Sequence, residues 1–152
     1  MAGYSGTPLA QKLGIKPAMT VTVINEPANY RQLLGKGADG VDFSDRTTGD
    51  SSLVHLFTTR RSELDKQLSR LRKKLPDTRT IWVSWPKKSA GVATDITEDV
   101  IRAVALPLGF VDVKVCAVDE TWSGLKLMVR RKQRKSQPLI SRFASSSSPG
   151  EE

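Results

Sequence analysis

The chain predicts an α/β fold: a mostly parallel sheet with helices on both faces and a C-terminal antiparallel hairpin. Three observations predict it. Short apolar, β-branched runs alternate with stretches of helical period, the pattern of strands that are connected by covering helices. The run Leu53-Val54-His55-Leu56-Phe57 is apolar almost throughout, as strands covered on both faces are. The last two strand-like runs are separated only by Asp119 to Trp122, far short of the dozen or so residues that a parallel crossover needs.

Taken in order, Met19 to Ile24 is a β-branched run stopped by Pro27, a first strand. Residues 27–34 predict a short helix with Pro27 in its first turn. Gly35, Gly37 and Gly40 break the chain after it, and Val41 to Phe43 is a short second strand. A polar loop, residues 44–51, leads to the strand at Leu53–Phe57. The helix expected over residues 60–75 carries Leu64, Leu68, Leu71 and Leu75 as one apolar stripe, opposed by a strongly basic face, and Pro76 ends it. Thr80 to Trp85 is a fourth strand. Asp95 and Glu98 have the spacing of a capping box opening a helix with Val100, Ile101, Val104 and Leu108 on its apolar side. Phe110 to Val118 and Leu125 to Val129 then form the hairpin, its final strand expected at one edge of the sheet. These elements fill residues 1–131, read as one α/β domain; residues 132–152 are basic and Ser-rich, a composition that predicts a disordered tail.

Composition narrows the function classes. A chain of 152 residues is of ordinary single-domain size. No apolar run approaches the ~20 residues of a membrane helix, so no membrane partner is expected. The N-terminus lacks the basic and apolar regions of a secretory signal. The single cysteine, Cys116, excludes an internal disulfide framework and a multi-cysteine metal site. Together these favour the cytoplasm. Net charge is +8. Half of that excess lies in residues 130–152, where Arg130, Arg131, Lys132, Arg134, Lys135 and Arg142 outweigh Glu151 and Glu152. The run Arg130 to Lys135 either attracts nucleic acid non-specifically or solubilises the tail; Phe143 is the one aromatic nearby.

The element order is similar to that of class I S-adenosylmethionine methyltransferases, a Rossmann-like fold. Leu13-Gly14-Ile15-Lys16-Pro17 resembles the segment that introduces the first strand in that family, and the closing hairpin is shared. In that family a glycine-rich loop follows the first strand and lets the backbone approach the cofactor. Here the position reads Asn25-Glu26-Pro27-Ala28-Asn29, with no glycine, so no cofactor is expected. Asp42 or Asp45 stands where an acidic ribose-binding residue would be. A nearer resemblance is to an uncharacterised bacterial family of short proteins. It rests on Gly3 to Ala10, Ser84-Trp85-Pro86-Lys87-Lys88, Val92 to Val100 and Val113 to Lys126, and implies the fold without an activity.

In an open parallel sheet, ligands bind beyond the carboxyl ends of the strands. The candidate ligand-binding residues gathered there are Trp85, Lys87, Lys88, Thr94, Asp95, Asp119 and Trp122. Lysines after a Trp-Pro turn suit an anionic small molecule, with Trp85 stacking on a ring; a rigid turn with solvated lysines and a core tryptophan is the structural alternative. Asp95, Glu98, Asp99, Asp119 and Glu120 could converge on a magnesium ion, complement helix dipoles, or pair with Lys87 or Lys88. His55, the one histidine, lies inside an apolar strand, which favours a satisfied core histidine over a base; no Gly-x-Ser-x-Gly elbow accompanies it. Cys116 reads as a buried small hydrophobe, and Trp82 and Trp122 as packing residues. Three readings follow: a binding or regulatory domain without the methyltransferase loop, an enzyme acting on an anionic small molecule, and a nucleic-acid binder acting through its tail. Oligomeric state is not encoded in any of these features.

Overall fold

The computed structural model describes residues 7–130. The basic tail expected over 132–152, with Phe143, and the segment Gly3 to Gly6 lie outside the described residues. The elements run α1 (Leu9–Leu13), β1 (Thr20–Ile24), α2 (Tyr30–Leu34), β2 (Asp42–Ser44), β3 (Leu53–Phe57), α3 (Arg61–Lys74), β4 (Thr80–Pro86), α4 (Glu98–Ala105), β5 (Phe110–Ala117) and β6 (Trp122–Val129). Short 3-10 turns follow α2 and α4 and open the loop after β4. No helix among the described residues is long and apolar enough to cross a membrane.

The six described strands form one sheet in the order β2-β1-β3-β4-β6-β5. β1, β2, β3 and β4 pair in parallel, and β6 is antiparallel to both β4 and β5. The mostly parallel sheet and its terminal hairpin agree with the sequence. The position of the last strand does not. It was expected at an edge, yet β6 is inserted between β4 and β5, and β5 forms the edge. The cause is the short turn, which lets β6 fold back only alongside β5, while its apolar Leu125, Leu127 and Val129 join the buried core.

Two hydrophobic layers cover the sheet. On one face, the predicted leucine stripe of α3 packs with α4 residues Ile101 and Val104 over Val54, Leu56, Ile81, Val83 and Trp85. Each fully buried leucine there contributes roughly 1.5–3 kcal/mol. On the other face lie α1 and α2, with Leu9, Leu13, Tyr30 and Leu34 over Val21, Val23, Leu53, Phe57 and Trp82. The five-residue α1 was not expected from sequence, being too short to show a full helical period. It is held by Trp82, whose indole Nε1 donates to the Leu13 carbonyl at 2.9 Å. Gly37 permits its approach, since a Cβ there would overlap Ala10. The helix expected over 27–34 begins at Tyr30, because Pro27 to Asn29 form a turn in which Tyr30 N–H donates to the Pro27 carbonyl.

The expected capping box is not formed. Thr97, not Asp95, is the N-cap of α4, its Oγ1 accepting from Val100 N–H at 3.2 Å. Glu98 pairs with Arg102 one turn along the same helix. Asp95 is used at the start of α3.

Candidate functional site

The sheet reverses direction of growth between β1 and β3, which both continue into helices from their carboxyl ends. Such a switch point is where open α/β sheets open a ligand crevice. Here it is latched by side chains. Asn25, directly after β1, adopts φ 59°, a left-handed conformation that asparagine tolerates better than most residues. From there its Nδ2 donates to the Phe57 carbonyl at the end of β3 and to Glu63 Oε2 on α3, both at 2.9 Å. Thr58 donates its hydroxyl to Glu63 Oε1 at 2.8 Å. One carboxylate therefore ties the carboxyl ends of both strands to the first turn of α3.

A second tie lies beside it. The loop after β4 returns over the end of β3, where Thr94 Oγ1 donates to the Thr59 carbonyl at 2.7 Å. Asp95 Oδ1 accepts from Arg61 N–H, the first residue of α3, at 2.7 Å. The terminus where a bound anion would be favoured is thus served by the chain's own carboxylate, reaching across 34 residues of sequence.

The seven sequence candidates fall into separate groups. Thr94 and Asp95 belong to this strap. Trp85 is buried in the α3–α4 core, so it does not offer a stacking face at the edge. Asp119 is buried in the β5–β6 turn, where Oδ1 accepts from Thr121 and Trp122 N–H, each at 2.8 Å. Trp122 packs edge-on against Phe57 with ring centroids 5.0 Å apart. Lys87 donates its backbone N–H to the Thr121 carbonyl at 2.8 Å, tying the loop to the hairpin. Lys88 is exposed. Among the described residues neither lysine forms an ion pair, so the expected Lys–Asp lock is absent. The acidic residues do not converge either: Glu98 and Asp99 join Asp112 around Arg102, whose guanidinium holds the Asp112 carboxyl below its usual range. No group of three or more His, Cys, Asp or Glu among the described residues could hold a metal ion.

The sequence places Thr58, Thr59 and Arg60 at this edge, but the seven candidates include none of the residues that line the open depression there. Thr59, Arg60, Ser62, Glu63, Lys66 and Gln67 bound a volume of about 510 Å³. Ser62 and Lys66 lie outside the segments gathered there; only the polar sequence after β3 could have signalled them.

His55 lies in the middle of the sheet. Its Nδ1 meets the Tyr30 hydroxyl at 2.8 Å and its Nε2 the Ser84 hydroxyl at 2.7 Å, while its ring stacks on Phe57 at 4.2 Å. Burial pushes its pKa down to about 3, and burial with nearby Glu26 raises that of Tyr30. A serine in hydrogen-bond reach of a histidine has the outline of an activated nucleophile. All three groups are buried beyond the reach of a substrate, so the chain is a satisfied core network, as the sequence suggested. Gly124 makes room for it: a Cβ there would lie 3.3 Å from the Trp82 ring and 3.5 Å from Ser84 Oγ. Cys116, expected to be buried, is half-buried on the hairpin, and burial pushes its thiol pKa up.

No family model matches the chain, and no curated protein matches it. Solved structures do. A protein from Sulfolobus solfataricus described as a type 11 methyltransferase superposes with TM-score 0.58 at 12% identity, covering 84% of this chain and 92% of its own. A SAM-dependent methyltransferase from Aquifex aeolicus gives 0.56 at 14% identity, covering 80% and 87%. Magnesium protoporphyrin IX methyltransferase from Synechocystis, solved with SAM bound, gives 0.53 at 13%, covering 80% and 74%. These likenesses establish a Rossmann-like, methyltransferase-like fold. Asn25, directly after β1, is committed to the latch, and residues 25–29 hold no glycine to let a backbone approach, so this segment does not fit S-adenosylmethionine.

Proposed function

We propose that the chain is a Rossmann-like binding or regulatory domain on a methyltransferase scaffold, without methyl transfer of its own. One observation carries this reading: Asn25, Thr58 and Glu63 join the carboxyl ends of β1 and β3 where a cofactor would have to enter. A group in that crevice would have to break three hydrogen bonds. Two of them are to a carboxylate, and charge-assisted bonds are roughly twice as strong as neutral ones. Calorimetric titration of the full chain with S-adenosylmethionine and with S-adenosylhomocysteine is expected to give no saturable heat. Saturation at micromolar ligand by either compound would overturn the reading.

The open depression supports a second one, a site for an anionic small molecule. Arg60 and Lys66 supply cations beside the polar Thr59, Ser62 and Gln67, while the carboxylate of Glu63, which also lines the depression, is engaged by Asn25 and Thr58. A thermal-shift screen of phosphorylated and carboxylated metabolites tests it. A stabilising ligand whose effect disappears in Arg60→Ala is the expected result; a screen without any stabilising compound would remove the support for this site.

A further inference from the structure

The hairpin carries a charge arrangement unconnected with the carboxyl edge. Lys114 of β5 and Lys126 of β6 are register partners in the antiparallel ladder, so they project side by side from one face. That face is the α1 side, since Lys126 is also the partner of Trp82, which packs under α1. Like charges directly opposite each other destabilise a sheet. Among the described residues neither lysine has a carboxylate partner. Lys12 of α1 acts with Lys114 on the thiol of Cys116 and so contributes to the same field. The strand that holds Lys126 leads into the basic run beginning at Arg130.

We propose that the α1 side of the β5–β6 hairpin is a docking surface for the phosphate backbone of double-stranded nucleic acid, with Lys114 and Lys126 meeting neighbouring phosphates. Lysine is a point charge that contacts phosphate without reading sequence, so the binding is non-specific. A duplex fits better than a single strand, which is held by stacking bases on exposed rings. The tryptophans on this face are instead committed, Trp82 to the core and Trp122 to Phe57. An anionic membrane fits less well, because surface binding also needs apolar residues to insert. Of the two exposed valines of the hairpin, Val115 shares the opposite face with Leu125 and Val113 stands alone at the bulge beside Lys114, too little apolar area to insert.

The test is fluorescence anisotropy of the full chain on a labelled duplex of about 20 base pairs, titrated between about 50 and 200 mM salt. The double reversal Lys114→Glu with Lys126→Glu is expected to weaken binding at least tenfold at low salt. It should also reduce the steepness of the log–log salt dependence by about 2, one for each lost phosphate contact. Reversing Lys73 and Lys74, exposed on α3 across the sheet, changes net charge equally and should leave most of the affinity. Equal losses in the two variants, or undiminished binding by the first, would overturn the proposal. So would tighter retention on phosphatidylserine vesicles than on the duplex. Lys114→Gln with Lys126→Gln guards against misfolding: it removes the opposed charges, so its melting temperature should match or exceed that of the parent while duplex binding falls. Failure here would leave the S-adenosylmethionine titration, and the reading that rests on it, untouched.

Discussion

The two faces of the sheet are built on different principles. Beneath α3 and α4, the strands β3, β4 and β6 present aliphatic residues and one tryptophan, and two amphipathic helices cover them. Beneath α1 and α2, the same strands present Trp82, Ser84, His55 and Gly124, and the covering helices have only five residues each. What the short helices lack in apolar area is supplied by directed bonds: Trp82 to the Leu13 carbonyl, and Tyr30 to His55 to Ser84. Long helices need only a stripe of leucines. Short ones need partners at defined atoms.

Leu68→Ala breaks the first face. Leu68 is fully buried under α3, and such truncations cost about 2–5 kcal/mol. Chemical denaturation should report a loss in that range with little change in the denaturant slope.

Tyr30→Phe probes the second face and should cost less, about 1–3 kcal/mol, by leaving a buried ring nitrogen of His55 without its partner. Replacing Tyr30, His55 and Ser84 together by Phe, Leu and Ala should cost less than the sum of the single changes, because no polar atom is then stranded. The network also makes a pH prediction. His55 titrates near 3 in the folded chain and near 6.5 when unfolded. Below 6.5 the unfolded chain takes up the proton first. Stability is therefore full above that pH and falls as the pH drops toward 3, at about 1.4 kcal/mol per pH unit. The triple variant should lose this His55 component, as judged by urea midpoints measured across the window.

Helix starts test the α3–α4 face more gently. Thr97→Ala removes the cap of α4, and Asp95→Ala the carboxylate serving α3. Each should lower stability by about 0.5–2 kcal/mol. If Asp95 also stands in for a ligand at the α3 terminus, its variant will gain thermal stabilisation from phosphate that the parent lacks. The smallest effect is expected for Glu98→Gln, since exposed ion pairs contribute about 0–1 kcal/mol and Arg102 keeps Asp112 and Asp99.

The difference between the faces also explains what was legible in the sequence. The leucine stripe of α3 and the apolar strands follow a period, and a period can be read from one segment alone. The absence of glycine after β1 was legible for the same reason. Asp95 reaching Arg61, Asn25 reaching Glu63 and Trp82 reaching Leu13 each join residues far apart in sequence, and no local pattern announces them. Asp95 in particular had the spacing of a capping box and was expected to cap its own helix. The candidate site shows the same limit. Its residues were chosen by position at the strand ends, and the structure divides them among a core, a turn and a strap.

The placement of β6 has a consequence for how the chain is made. A nascent chain that has reached Ala117 holds β5 with no neighbour to bond, because the strand that links it to β4 is still to come. Synthesis and folding therefore cannot keep step along this sheet. The parallel half can assemble early, whereas the hairpin half must wait for Trp122–Val129 and then close as a unit. A chain halted before that point would present the free edge of β4 to the cell, its backbone from Ile81 to Pro86 without the ladder that β6 supplies.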